Sequence, residues 1–193
     1  LSAFCDVNKA RAEQAREKYN KDAQVFTDAK TMFDNVKLGG AYFCLPPFAH
    51  GAELIAVEYG VPFAVEKPVN LYEDQAREIA TAVDEKGLLT SALYMNRYRK
   101  GIQQVREMLK KDPAIMLLGG WIGGSPRGAA DSGIMSWWIQ KDKSGGQFHE
   151  QVTHTVDIAC FLCGDVTEVH AYAAKGFNKG VPTAYSIEDA AVV

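Results

Sequence analysis

Short apolar runs alternate with helix-forming stretches from Leu1 to Tyr94, and few folds accommodate that rhythm. Leu1–Cys5, Val25–Phe26, Gly40–Leu45, Val61–Val65 and Leu88–Tyr94 read as strands. Between them the sequence predicts a helix over Lys9–Tyr19 capped by Asn8, and one from Thr27 or Asp28 through Phe33. Two more are expected over His50–Tyr59, closed by Gly60, and over Leu71–Lys86. Strands separated by helices at this spacing imply βαβ units. Right-handed crossovers then make a parallel sheet covered on both faces, a doubly wound α/β domain over residues 1–94. Ligands bind such sheets beyond the carboxyl ends of the strands, where Asp6, Pro46-Pro47, Glu66-Lys67-Pro68 and Asn96-Arg97 fall.

The character changes after this point. Lys100–Lys111 reads as a helix and Ile115–Ile122 as a strand. Gly123–Ser144 reads as a loop containing Gly124, Pro126, Gly128, Gly133 and the pair Trp137-Trp138. A loop this long with two tryptophans is expected to be an ordered lid. Trp138 has two open readings there, a stacking surface for a sugar ring or a packing and subunit contact. Glu168–Ala173 and Ile187–Val193 read as antiparallel-type strands, so residues 95–193 form an α+β domain with a mainly antiparallel sheet.

Gly145-Gly146 opens a predicted helix through Leu162. At about 100° per residue, Phe148, Val152, Thr155, Val156 and Ala159 share one side, while Glu150, His154 and Asp157 lie on the other. Two carboxylates bracketing an imidazole favour its protonated form and set its proton affinity near neutral, which suits a general base. The same stripe is equally the solvated face of an ordinary amphipathic helix. Lys67 divides in the same way between a surface lysine and an ammonium that holds a reacting oxygen. A carboxylate at the position of Asp6 either caps a turn or accepts two hydrogen bonds from a ribose diol, repelling a 2′-phosphate.

The net charge of −3 and the scattering of 21 basic residues exclude a nucleic-acid surface. No apolar run approaches the roughly 18 residues of a membrane span, and no secretory pattern is present, so a cytoplasmic protein is expected. The four cysteines read as reduced packing residues. Cys160 and Cys163 have C-x-x-C spacing but no second ligand pair, so no metal site is expected. The chain opens without Met and stops in a β-like run, which reads as trimming at both ends.

Several motifs occur in one order along nearly the whole chain: Cys5-Asp6 at a strand end, Leu45-Pro46-Pro47-x-x-His50, Glu66-Lys67-Pro68, Asn96-Arg97-Tyr98, and Gly145-Gly146 running to His154-x-x-Asp157. The ordered set resembles the glucose-fructose oxidoreductase and inositol dehydrogenase family, Gfo/Idh/MocA. The resemblance implies a Rossmann-type domain followed by a substrate domain, and an NAD(P)-dependent oxidoreductase acting on a secondary hydroxyl of a sugar, inositol or similar polyol. In that reading Lys67 polarises the hydroxyl, His154 takes its proton, and Glu150 stands where the family commonly has Asp. Pro46, His50 and Glu66 line the cofactor, with Asp6 favouring NAD over NADP, and Arg97 and Asp157 reach substrate hydroxyls. A homo-oligomer through the C-terminal sheet is expected. The glycine-rich G-x-G-x-x-G turn that cradles a pyrophosphate is not in this sequence, so the first domain is read as incomplete. Two alternatives stand beside the dehydrogenase: an NAD-dependent glycosidase of the same fold, and a non-catalytic binding or assembly module.

Overall fold

A computed structural model describes residues 1–123 and 133–193, so Gly124, Pro126 and Gly128 of the expected loop lie outside the described residues. The chain divides into two compact units. The first comprises Leu1–Cys44, His50–Val65 and Tyr72–Ala92; the second comprises Leu45–Ala49, Glu66–Leu71 and Leu93–Val193.

The first unit alternates as expected: β1 (Ala3–Cys5), α1 (Lys9–Tyr19), β2 (Gln24–Phe26), α2 (Ala29–Asn35), β3 (Ala41–Phe43), α3 (Glu53–Glu58), β4 (Phe63–Val65), α4 (Glu73–Lys86) and β5 (Thr90–Ala92). Asn8 caps α1 by accepting the Ala10 N–H, and Asp28 caps α2 by accepting that of Thr31, so each helix begins where a side-chain oxygen satisfies a free amide. Every strand pairing here is parallel, β1 with β2 and β3 with β4 with β5. The two sheets do not join: beyond β2, β1 meets no strand among the described residues, and beyond β4, β3 meets none. Phe63 and Val65 of β4 point inward with Phe43, and the Phe43 and Phe63 rings meet edge to face at 5.4 Å.

The second unit holds α5 (Lys100–Leu109), α6 (Met135–Trp138), α7 (Lys141–Ser144), a π-helical turn (Phe148–Val152), α8 (Thr153–Cys163), and β6 (Tyr172–Ala174) paired antiparallel with β7 (Ala190–Val192). Its core includes Trp138, Ile139 and Ile187. Two expectations fail here. The strand expected over Ile115–Ile122 does not form, because no described strand pairs with it, and Ile115, Leu118 and Ile122 are exposed. Gly123–Ser144 is not one loop, since α6 and α7 fold within it. Cys5, Cys44 and Cys163 are exposed rather than packing residues. Among the described residues no helix is long and apolar enough to cross a membrane.

Candidate active site

The segment Glu66–Leu71 leaves β4 and belongs to the second unit, where it is tied to the helix expected to carry the chemistry. Lys67 Nζ donates to Glu150 Oε1 at 2.7 Å and to the Glu150 carbonyl at 2.9 Å. Both side chains are largely buried, at 14% and 5% exposure. His149 Nε2 lies 3.0 Å from the Asn70 carbonyl, and the Leu71 N–H donates to the Pro47 carbonyl at 3.1 Å. The Glu66 carboxylate accepts the Lys67 backbone N–H. Lys67 is therefore a fixed interior cation, not a surface lysine.

The polar stripe of the helix faces inward. Glu150 and Asp157 are buried, whereas Val156 is exposed and lines an open groove with Phe148, Val152 and Ala159. The solvated-face reading does not hold. The grouping of residues into two faces holds across the π-helical turn through Glu150; what differs is which face is buried.

His154 also departs from the simple electrostatic expectation. Burial first, then the Lys67 ammonium, pushes its proton affinity below the ordinary histidine value, and the carboxylates of Glu66 and Asp157 only partly oppose them. Asp157 still favours the imidazolium, but burial outweighs it; Glu150 and Asp157 are themselves paired with Lys67 and Arg97. The ring meets Tyr94 edge to face at 6.1 Å, and the Tyr94 hydroxyl lies 2.9 Å from Thr153 Oγ1. His154 Nδ1 is buried with no hydrogen-bond partner. Burial raises the Glu150 carboxyl, with Lys67 pulling the other way.

Arg97 donates through Nε to both Asp157 oxygens, at 2.8 and 3.0 Å, and its guanidinium lies over the Phe161 ring at 5.1 Å. Asp157 is 5% exposed and Arg97 42%. Arg97→Ala would leave a buried carboxylate unpaired, an expected loss of about 2 kcal/mol given the exposed side of the pair. Urea denaturation checks this; the double variant Arg97→Ala/Asp157→Asn should recover most of it, and an unmoved midpoint in the single variant rejects it. Trp138 is 8% exposed and sits in the core, while Trp137 is half-buried with its ring 6.2 Å from that of Phe48.

In the first unit, Asp6 Oδ1 accepts the Asn8 N–H at 2.8 Å and Oδ2 lies 3.5 Å from Arg11, so the carboxylate is anchored at the end of β1. His50 and Glu53 form a buried pair, Nδ1 to Oε1 at 2.5 Å, with Glu53 also accepting the Gly51 N–H at 2.6 Å. Burial would raise the Glu53 carboxyl, but these hydrogen bonds outweigh it and hold it below its usual range. His50 Nε2 is buried without a partner. Pro46, which belongs to the second unit, is half-buried, and its carbonyl accepts the Ala49 N–H at 2.9 Å. Sequence reasoning passed over Glu53 and Glu188, both buried acids. Their signals were a glutamate three residues after His50, and a glutamate inside the apolar run Ile187–Val193.

Residues 1–94 match the family model described as an oxidoreductase family NAD-binding Rossmann fold, and residues 123–193 match the GFO/IDH/MocA C-terminal domain. The chain is 26% identical to the D-glucoside 3-dehydrogenase of Escherichia coli strain K12, covering 98% of this chain and 57% of that protein. It is 24% identical to the 2,7-anhydro-N-acetylneuraminate hydratase of Mediterraneibacter gnavus, over 76% of this chain and 39% of that protein. Among solved structures, the WlbA dehydrogenase from Bordetella pertussis, in complex with NADH and UDP-GlcNAcA, superposes with a TM-score of 0.79 at 22% identity, covering 99% of this chain and 54% of that one. Levoglucosan dehydrogenase in complex with NADH and levoglucosan gives 0.82 at 17% identity, covering 98% and 53%. The chain thus spans little more than half the length of these two structures, and the likeness to them is one of fold.

Proposed function

Because the chain belongs to the Gfo/Idh/MocA family of oxidoreductases, we propose that its protein transfers a hydride between NAD and a secondary hydroxyl of a sugar, inositol or related polyol. Residues 1–94 are the part of this chain that serves the dinucleotide, and residues 95–193 serve the substrate. The observation that carries the reading is the buried Lys67–Glu150 pair within electrostatic reach of a histidine whose proton affinity is lowered. Two of the three N–H donors of Lys67 go to Glu150, which leaves one for a substrate oxygen. Held by that donor, a hydroxyl is favoured toward the alkoxide. His154, kept neutral, accepts the hydroxyl proton as the C–O bond becomes C=O. Nicotinamide supplies the acceptor for the hydrogen that leaves carbon with its electron pair. Arg97 and Asp157 shape the substrate side.

The residues present fit the ribose end of such a cofactor. Asp6 is fixed by the Asn8 N–H and offers a carboxylate at the end of β1, and His50 follows β3 in the same unit. The chain itself contributes no glycine-rich turn for the pyrophosphate. Asp6→Asn, which keeps the acceptor for Asn8, is expected to reduce the preference for NAD over NADP by about tenfold, the worth of a hydrogen bond to a charged group. An unchanged ratio of the two Kd values removes Asp6 from the ribose site. Assembly through the antiparallel β6–β7 sheet is part of the same proposal, and light scattering would report it.

The test of function is NADH absorbance across a panel of methyl glucosides, free aldoses and inositols. Accumulation with at least one cyclic polyol is expected. Silence across the panel from folded protein that binds NAD rejects the dehydrogenase reading.

A further inference from the structure

We propose that Glu188 is a positioning residue for this reaction, a buried carboxylate that sets where the helix bearing Glu150 and His154 begins. The inference rests on the function proposed above. Glu188 is 5% exposed. Its Oε1 accepts the Phe148 N–H at 2.8 Å and its Oε2 accepts Lys141 Nζ at 3.0 Å. Phe148 opens the π-helical turn that contains Glu150 and leads directly into α8 at Thr153. The first N–H groups of a helix have no partner within it, and here the partner comes from a segment far along the chain.

That segment is itself fixed. The Ser186 N–H donates to the Ile139 carbonyl at 2.9 Å, Ser186 Oγ accepts the Lys141 N–H at 2.8 Å, and the Asp189 N–H donates to the Ala174 carbonyl at 2.9 Å. Glu188 therefore holds the helix start against a frame made by α7 and β6. The chain ahead of the helix is pressed onto the carboxylate: a Cβ on Gly146 would stand 2.4 and 2.7 Å from its two oxygens. A Cβ on Gly145, at φ +77°, would stand 2.7 Å from the His149 ring. The glycine pair thus serves close packing against Glu188 and His149. Burial alone would raise the Glu188 carboxyl, but the Phe148 N–H, its own backbone and Lys141 outweigh it, so the cap is charged.

A residue that only stabilised the fold would change how much protein is folded and leave the constants of the folded fraction alone. Displacing the helix start moves Glu150 and His154 together, and a misplacement of about 1 Å costs on the order of 10²-fold in rate. In the enzyme that carries this chain, Glu188→Ala is expected to lower kcat by about that factor with KM for NAD unchanged. Glu188→Gln, whose amide oxygen still accepts the Phe148 N–H, should return kcat to within about tenfold of wild type. Should the alanine variant fail to fold, Glu188→Asp keeps the charge and withdraws it by a methylene; a loss of about tenfold is expected, and wild-type kcat overturns the proposal. Hydrogen exchange across Gly146–Val152 needs no turnover and separates this inference from the function beneath it. Faster exchange there in Glu188→Ala, with β3–β5 unchanged, supports the capping role even if no polyol is oxidised. Unchanged exchange together with wild-type kcat sinks it.

Discussion

Lys67→Met is expected to lower turnover by about 10² or more, the scale on which a fixed donor to a developing oxyanion acts. Its second effect is on stability. Glu150 is 4% exposed, and removing the ammonium leaves its carboxylate buried with the partner gone, a cost of about 3–5 kcal/mol for a buried pair. The carboxyl has one escape, which is to take a proton. Burial already raises its proton affinity, and Lys67 is the first influence holding it down, so the variant raises it further. The sign follows from linkage. A carboxyl whose folded-state pKa lies above its unfolded value binds more protons when folded, so stability falls as pH rises through that window. Lys67→Met should therefore be penalised more at about pH 8 than at about pH 5. Lys67→Met/Glu150→Gln should recover most of the stability and none of the turnover. Urea denaturation at both pH values reads the first effect and NADH formation reads the second. A Lys67→Met enzyme with wild-type kcat would falsify the role assigned to the amine.

Local chemistry made the first unit legible. Asn8 and Asp28 sit where free amides need acceptors, and the apolar runs fall at the spacing of parallel strands. The second unit was harder because its rules depend on contacts far apart in sequence. Ile115–Ile122 has the composition of a strand, yet a strand needs a neighbour to hydrogen-bond, and no described strand supplies one. The stripe on the candidate helix was found, and of its two readings the solvated face is the one that fails. A polar face ordinarily points to water, whereas here Lys67 and Arg97 come from elsewhere in the chain to neutralise Glu150 and Asp157 inside the unit. The expected influence of the acids on His154 is outweighed, because burial of the ring and the Lys67 ammonium both act against the imidazolium. Glu188 escaped notice because its partner, the Phe148 amide, has no side-chain signature.

His154→Gln is expected to reduce kcat by about 10² or more, because a general base typically contributes that much. The more discriminating measurement is the pH profile. Burial and the Lys67 ammonium both oppose the protonated ring, so the folded-state pKa of His154 lies below 6.5, its ordinary value. The unprotonated base then persists to lower pH than a free imidazole would, and the acid limb of kcat/KM for the polyol should fall on the acid side of that value. In His154→Gln the limb should vanish along with most of the rate, leaving a profile set by the remaining groups. Lys67→Met offers an independent check, since removing the ammonium should move the His154 C2–H titration upward in proton NMR while burial continues to hold it down. A limb above the ordinary histidine value, or one that survives in His154→Gln, would assign the proton to another residue. Glu150 is then the next group to examine, because burial keeps its carboxyl raised and Lys67 Nζ is already bonded to it.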